Sequence, residues 1–344
     1  MDDGSSPRYS RQSSTPAPPR SSRCRPCLEP TQTLPRPHGN AINGRLTSMR
    51  IAFLGTGRMG TELALHLLPE HQLTVWNRTA ARTSTLAEAG AAVADSPADA
   101  VTDADLVITS LFGPDAVRET VTAAGLIPAG IPWIDTTTVS PEDADEFAEA
   151  VPSYVGVPVI GTLGPARKGS LGVYVGTPDA SLRDQVLELV SPWADPARLK
   201  GVDSGRKAAT GKLLANLALA ISAQGLREAL ALGEAAGASD EETLGMLDST
   251  GLAFIAGMKG AFVRGERTTE GGDFTADAIA KDARLMIDTV GAAASDSTSP
   301  TSRPGGDLPA LRGALASLDA EIAAGHGDDD FSTILLPGAQ RTGE

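Results

Sequence analysis

Cysteine is nearly absent from this sequence: Cys24 and Cys27 are the only two among 344 residues, and both fall within the first 48. No disulfide framework can hold the rest of the chain, which suits a reducing cytoplasm, the location expected for it. Aromatic residues are scarce too, at 4%, and the formal net charge is −14. A nucleic-acid reader needs a basic face and usually aromatic platforms for bases, so that class of partner is not expected. No run of 18 apolar residues exists to cross a bilayer, so no membrane partner is expected either. The four histidines, His38, His66, His71 and His326, lack ligand or triad spacing, and no metal site is expected.

What remains divides into a leader and a body. The first 48 residues hold 8 of the 24 prolines, and seven arginines against three acids give them +4, which leaves −18 on the other 296. Residues 1–48 read as a disordered leader, with Met49 directly ahead of a strong strand. Cys24-Arg-Pro-Cys27 has the spacing of half a zinc site but no second pair to complete it. A hydrophobic share of 41% is enough for a large core in the body.

From Arg50 the pattern alternates strand and helix. Strands are expected at Ile51–Leu54, Leu73–Trp76, about 91–93, Leu106–Thr109, Trp133–Asp135, Tyr154–Val159 and Leu171–Val175, with helical stretches between them. Such alternation implies a doubly wound α/β fold on a parallel, Rossmann-type sheet. After about Val202 the strand signals stop. Residues 206–236 read as one long helix, followed by helices at about 241–249, 251–263, 274–290 and 308–324. The expected organisation is therefore a dinucleotide-binding domain over 49–203, an all-helical domain over 204–334 joined through the long helix, and a tail over 335–344. Between the last two helices, Ala292–Asp307 is rich in Ser, Thr, Pro and Gly and reads as an exposed loop.

The first strand runs into Gly55-Thr56-Gly57-Arg58-Met59-Gly60, a G-x-G-x-x-G pattern opening a helix, which is the context that makes it a dinucleotide fingerprint. Gly55 permits the tight turn, Gly57 lets a pyrophosphate approach the backbone, and Gly60 lets helix pack closely on strand. The second strand ends in Asn77-Arg78-Thr79, with Arg82 a turn further, where an acid would select an unphosphorylated ribose. Neutral Asn77 with a guanidinium suits a 2′-phosphate, so NADP(H) is expected ahead of NAD(H). The other reading of Arg78 is a solvated turn residue. On the long helix, Lys212 and Asn216 stand four apart and share a face. Spacing alone leaves open a solvated lysine or a proton-transfer group whose pKa burial would lower. Ser140-Pro141-Glu142-Asp143 reads as a helix start: an N-cap, a first-turn proline and acids facing the helix dipole.

Taken together these residues resemble the β-hydroxyacid dehydrogenase family, the 3-hydroxyisobutyrate dehydrogenase group related to 6-phosphogluconate dehydrogenase. The resemblance runs from about Met49 to Ser332. Phe53–Gly60 is similar to the family's cofactor signature and Trp76–Thr79 to its NADP-preferring form. The segment Val107–Pro114, with Leu111 and Phe112, resembles the stretch flanking the nicotinamide ribose, and Asp135–Thr138 the motif whose last threonine, Thr138, contacts cofactor. The G-x-x-x-K-x-x-x-N pattern implies that Lys212 is the catalytic general acid/base and Asn216 its positioning partner. Phe274 and Lys281-Asp282 fall at the family's Phe…Lys-Asp spacing, which implies Lys281 over the cofactor and Phe274 and Asp282 on the substrate side; read alone, Phe274 is equally a core residue, and Asp282 a helix-surface acid or one that acts on the site through its neighbours. Gly325–Ser332 resembles the C-terminal G-x-G-x-x-D-x-S.

Two departures stand out. The family's P-V-S-G substrate motif is Pro158-Val159-Ile160-Gly161-Thr162 here, so Ile160 removes a hydroxyl, and Gly161 and Thr162 are left to offer backbone N–H groups and one hydroxyl to the substrate. The Ala292–Asp307 loop is longer than the family's usual connection and reads as a tolerated insertion. The resemblance implies hydride transfer between NADP(H) and a small hydroxy acid or semialdehyde, in a homodimer. The alternatives are an imine reductase, a related group that usually places Asp or Tyr where Lys212 stands, and a cofactor-binding sensor or scaffold without turnover.

Overall fold

A computed structural model describes residues 48–295 and 307–336. The leader up to residue 47, with Cys24 and Cys27, most of the Ala292–Asp307 loop, and the tail from residue 337 lie outside the described residues. The sheet contains nine strands: β1 Arg50–Leu54, β2 Gln72–Trp76, β3 Ala92–Val93, β4 Leu106–Thr109, β5 Trp133–Asp135, β6 Tyr154–Gly156, β7 Val159–Ile160, β8 Leu171–Gly176 and β9 Ala194–Val202. Their order is 3-2-1-4-5-6-8-7, with β9 on β8. All pairings from β3 across to β6 are parallel. β1, β4 and β5 are apolar runs of four, three and two residues because helices cover both their faces, and Leu54, Ile108 and Ile134 are fully buried.

The far edge departs from a purely parallel sheet. Pro158 has no N–H for a ladder and splits the expected Tyr154–Val159 strand into β6 and β7. Only ten residues connect β7 to β8, fewer than a parallel crossover needs, and β8 therefore runs antiparallel to both β6 and β7. β9 is a strand that the sequence pattern does not announce. It carries Pro196 and charged side chains, and its pairing with β8 is irregular: Ala194 pairs with Leu171 but Leu199 with Val173. Residues 195–198 form a bulge opposite Gly172.

The sheet packs one core on each face. One gathers Ile51, Phe53, Leu63, Val75, Val173 and Trp193; the other gathers Trp133, Phe147 and Tyr154, whose rings meet at 4.9–6.0 Å. After β9 the chain is helical: Gly205–Ala235, Asp240–Met246, Ala253–Val263, Ala276–Ser295 and Pro309–Glu321 enclose a separate core around Leu226, Ile255, Ile279 and Leu318. Ser204 caps the long helix by accepting the Lys207 N–H. Small residues then let its first turns lie against the sheet. A Cβ on Gly205 would sit 2.8 Å from the Tyr154 ring and one on Gly211 2.7 Å from the Tyr174 ring. Among the described residues no helix is long and apolar enough to cross a membrane.

Candidate active site

The carboxyl ends of β1, β2, β4 and β5 open onto a cleft of roughly 1770 Å³, walled on its other side by the helical half. Clefts for a single small molecule run to ~1,000 Å³, so this one has room for a dinucleotide and a small substrate together. It lies outside the strand order's reversal between β2-β1 and β4, where open α/β sheets bind their ligands.

Gly55 has φ +99°, and a Cβ on it would collide with the Ser110 carbonyl oxygen, so both backbone and space demand glycine. A Cβ on Gly60 would strike the Gly55 carbonyl oxygen, which explains why Gly60 packs behind the turn rather than lining the cleft. Gly57 differs: nothing lies within 4 Å of where its Cβ would be, and it borders the cleft. It also precedes the helix Arg58–Leu67, whose first N–H groups have no side-chain cap. Open space beside uncapped amides fits a pyrophosphate. Thr56 contributes shape instead. Its N–H is taken by Asn77 Oδ1 at 3.0 Å and its hydroxyl donates to the Arg82 carbonyl at 3.0 Å, which ties the glycine turn to the loop after β2. Met59 lines the cleft. Arg58 reaches across it, donating to the carbonyl oxygens of Gly272 and, at 3.4 Å, Asp328 in the helical half.

At the end of β2, Asn77 also donates to the Thr79 carbonyl at 3.0 Å. Arg78 and Arg82 are exposed, border the cleft with Thr79, and have no acidic partner among the described residues. Further along, the turns after β4 and β5 interlock. Asp135, 1% exposed, accepts the Thr109 hydroxyl at 2.7 Å and the Thr137 N–H at 3.1 Å, and Thr137 in turn accepts the Leu111 N–H at 3.0 Å. Burial pushes the Asp135 carboxyl up to about 6 against those hydrogen bonds. Leu111, Phe112 and Thr138 thereby reach the cleft, and Phe112 is 64% exposed there.

Lys212 and Asn216 enter the cleft from the long helix, and Lys281 and Asp282 meet them from the helix Ala276–Ser295. Asp282 is 2% exposed and holds the cluster together. It accepts Asn216 Nδ2 at 2.5 Å and pairs with Lys281 Nζ at 2.6 Å. A carboxylate only accepts, so the Asn216 amide has one orientation, with Oδ1 turned away from Asp282. Asp282 borders the cleft with its carboxylate held between Asn216 and Lys281. Lys281 also reaches the Thr138 carbonyl at 3.4 Å and lies 5.5 Å from the Phe112 ring centre, bridging the halves. Lys212 is half-buried, and its side chain makes no hydrogen bond or ion pair among the described residues. Burial pushes its pKa down; Asp282 opposes that shift and Lys281 reinforces it.

The remaining wall is the substrate edge. Gly161 has φ +142°, and a Cβ on it would sit 2.7 Å from Leu171 Cδ2. Thr162 heads the helix Leu163–Arg167 without capping it, so its hydroxyl is not spent there. Ile160 lines the same edge, and so does Arg198 from the β9 bulge. Opposite, Phe274 both borders the cleft and stacks edge-on against buried Phe331 at 5.9 Å. Its backbone is fixed by Asp330, which accepts the N–H groups of Asp273 and Phe274 and is ion-paired to buried Lys259 at 2.6 Å. Sequence reasoning missed the Arg58 bridge, the depth of Asp282, and Arg198. None of these has a local signature, since each depends on partners far away in the chain.

A glycine turn at the first βα junction, facing a lysine cluster across a dinucleotide-sized cleft, defines an NAD(P)-dependent oxidoreductase. Comparison with known proteins agrees. Residues 50–195 match the NAD binding domain of 6-phosphogluconate dehydrogenase. An uncharacterized oxidoreductase of Shewanella frigidimarina is 33% identical over 55% of this chain and 67% of its own length. The glyoxylate/succinic semialdehyde reductase 1 of Arabidopsis thaliana is 30% identical over 58% of this chain and 71% of its own. Among solved structures, 3-hydroxyisobutyrate dehydrogenase of Mycobacterium tuberculosis, determined with L-serine, superposes with a TM-score of 0.69 at 25% identity, covering 84% of this chain and 98% of that one. The chain belongs to the β-hydroxyacid dehydrogenase family and is an NAD(P)-binding oxidoreductase.

Proposed function

We propose that this enzyme is NADP(H)-preferring and interconverts a small hydroxy acid and the corresponding carbonyl compound, with Lys212 as general acid/base. The observation that carries the reading is Lys212 itself: half-buried in the cleft, free of partners among the described residues, with its pKa depressed by burial. A lysine whose charged form is disfavoured by burial gives up its proton more readily than a solvated one, which suits a general acid/base. The relatives that act on glyoxylate, succinic semialdehyde and 3-hydroxyisobutyrate support the substrate class. Exposed Arg78 and Arg82, with no acidic partner among the described residues, support binding of a 2′-phosphate.

When bound, the nicotinamide supplies or takes up the hydride. In reduction Lys212 Nζ donates its proton to the carbonyl oxygen as that oxygen becomes a hydroxyl, and in oxidation it removes the hydroxyl proton. Asn216 Oδ1, fixed by the Asp282 bond to its amide nitrogen, is the acceptor that orients the hydroxyl or the lysine. Gly161 and Thr162 face the substrate from one side and Phe274 from the other. Lys281 holds the two halves together over the cleft. We assign a second copy of the chain as partner, on the helical half where Leu232, Met246 and Phe254 stay 69–78% exposed.

Turnover of a panel of aldehydes, hydroxy acids and cyclic imines with NADPH and NADH tests the cofactor, substrate and Lys212 assignments, and sedimentation of the full chain tests the dimer. The expected result is reduction of carboxylate-bearing aldehydes, with NADPH preferred, and a loss of about 10²–10⁴ in rate in Lys212→Met with cofactor binding retained. Equal turnover in that variant removes Lys212 from the chemistry, and imine reduction without carbonyl reduction replaces the substrate class.

A further inference from the structure

We propose that Arg198 is the anchor for the substrate carboxylate, in place of the hydroxyl that Ile160 removes. The inference deepens the reading above and rests on it for the reaction. Three features of the sheet edge converge on this guanidinium. The first is the bulge: where β8 has the single residue Gly172 between Leu171 and Val173, β9 has four, Asp195 to Arg198, between their partners Ala194 and Leu199. Bulges beside sites re-aim side chains, and this one sends Arg198 back over β8.

The second is glycine at 172. A Cβ built there would lie 3.1 Å from Arg198 Nη2 and 3.3 Å from Ile160 Cβ. The guanidinium therefore occupies the space that a side chain at 172 would fill, directly beside Ile160, its cross-strand neighbour on β7.

The third is the helix opposite. On β8, Gly176 packs against Ala208 and Tyr174 against Gly211, so stepping back along the strand advances along the long helix. Two strand residues cover about 6.6 Å, and one helical turn about 5.4 Å. The next step puts Gly172, with Arg198 upon it, against the turn that carries Lys212, Ala215 and Asn216, and all three of those residues line the cleft with Arg198.

The guanidinium is also available. It makes one bond, to the Ser170 carbonyl at 3.4 Å, and no ion pair among the described residues. Asp195, the acid in the same bulge, uses Oδ1 on the Ala197 N–H at 2.9 Å. A planar fork with free donors takes a carboxylate through two parallel hydrogen bonds, which one serine hydroxyl cannot. Arg198 thus selects carbonyl acids over neutral carbonyls of the same shape.

Two measurements test this on the full chain. With NADPH, kcat/KM is compared for succinic semialdehyde and its methyl ester, which differ in one charge. Arg198→Met is expected to lower the acid-to-ester ratio tenfold or more, chiefly through KM for the acid, with Arg198→Lys in between. Gly172→Ala, whose methyl would press on Nη2, is expected to shift the ratio in the same direction. An unchanged ratio in Arg198→Met overturns the proposal. Independently, succinate is titrated calorimetrically into the NADP-loaded protein. Binding to the unaltered chain that is lost in Arg198→Met supports the anchor even if no substrate in the panel turns over, in which case it is the assigned reaction that fails. Equal binding to both proteins, or binding to neither, overturns the anchor.

Discussion

Asp135 is a buried acid whose energetic cost can be isolated. It ends β5, is 1% exposed, and its Oδ2 makes no hydrogen bond, while Oδ1 holds Thr109 and Thr137. Burial moves its pKa from 3.8 to about 6 in the folded protein. The unfolded chain gives up this proton near the ordinary value and the folded chain keeps it longer, so the folded state binds more protons between the two. Stability then falls as pH rises through that window, the reverse of a salt-bridged carboxylate. At about 1.36 kcal/mol per pH unit, the displacement amounts to roughly 3 kcal/mol, fully present as a penalty above the folded value. Asp135→Asn keeps an acceptor for Thr109 and Thr137 but cannot titrate. Its other effects on packing and hydrogen bonding are the same at every pH and cancel when the difference between the two proteins is followed. Urea unfolding of both proteins from about pH 4.5 to 7.5 should show the wild type losing about 2 kcal/mol relative to the variant across that range. Parallel stability curves would mean that Asp135 is ionised throughout, and the burial argument would be wrong.

Two further substitutions probe the frame of the site. Gly55→Ala meets both a positive φ and the Ser110 carbonyl and should cost about 2–4 kcal/mol, seen as a lower urea midpoint; Gly57→Ala, with open space at its Cβ, should leave that midpoint in place and weaken NADPH binding in a fluorescence titration. Lys259→Met strands Asp330, which is 0% exposed, without its counter-charge and should destabilise by about 3–5 kcal/mol, with part recovered in Lys259→Met/Asp330→Asn; urea titrations of the single and double variants decide it.

How far the sequence discloses this molecule depends on whether a feature is local. The glycine turn, the parallel strands through β6 and the helix of Lys212 all show in short windows, because turn geometry, apolar runs and helical periodicity are properties of neighbours. The expected helix over 206–236 is found at Gly205–Ala235, and that over 274–290 at Ala276–Ser295. β9 escapes the pattern because Pro196 and a four-residue bulge break its alternation, and what makes it a strand is the open edge of β8. Asp282 looks like a surface acid on its own helix. Its bond to Asn216, 66 residues earlier, makes it the residue that orients an amide. Phe274 likewise reads equally well as core or cleft wall, and it is both.

The cleft and the surface carry opposite signs, with a kinetic consequence. Lys212, Lys281, Arg78, Arg82 and Arg198 face the cleft of a body whose formal charge is −18. An approaching anion first meets the field of the whole molecule, which repels it, and meets the cations only at close range. Salt shortens the reach of the outer field, to ~10 Å at 0.1 M, before it weakens contacts a few ångströms apart. Moderate salt should therefore speed the association of NADPH and of acid substrates, the reverse of ordinary electrostatic steering.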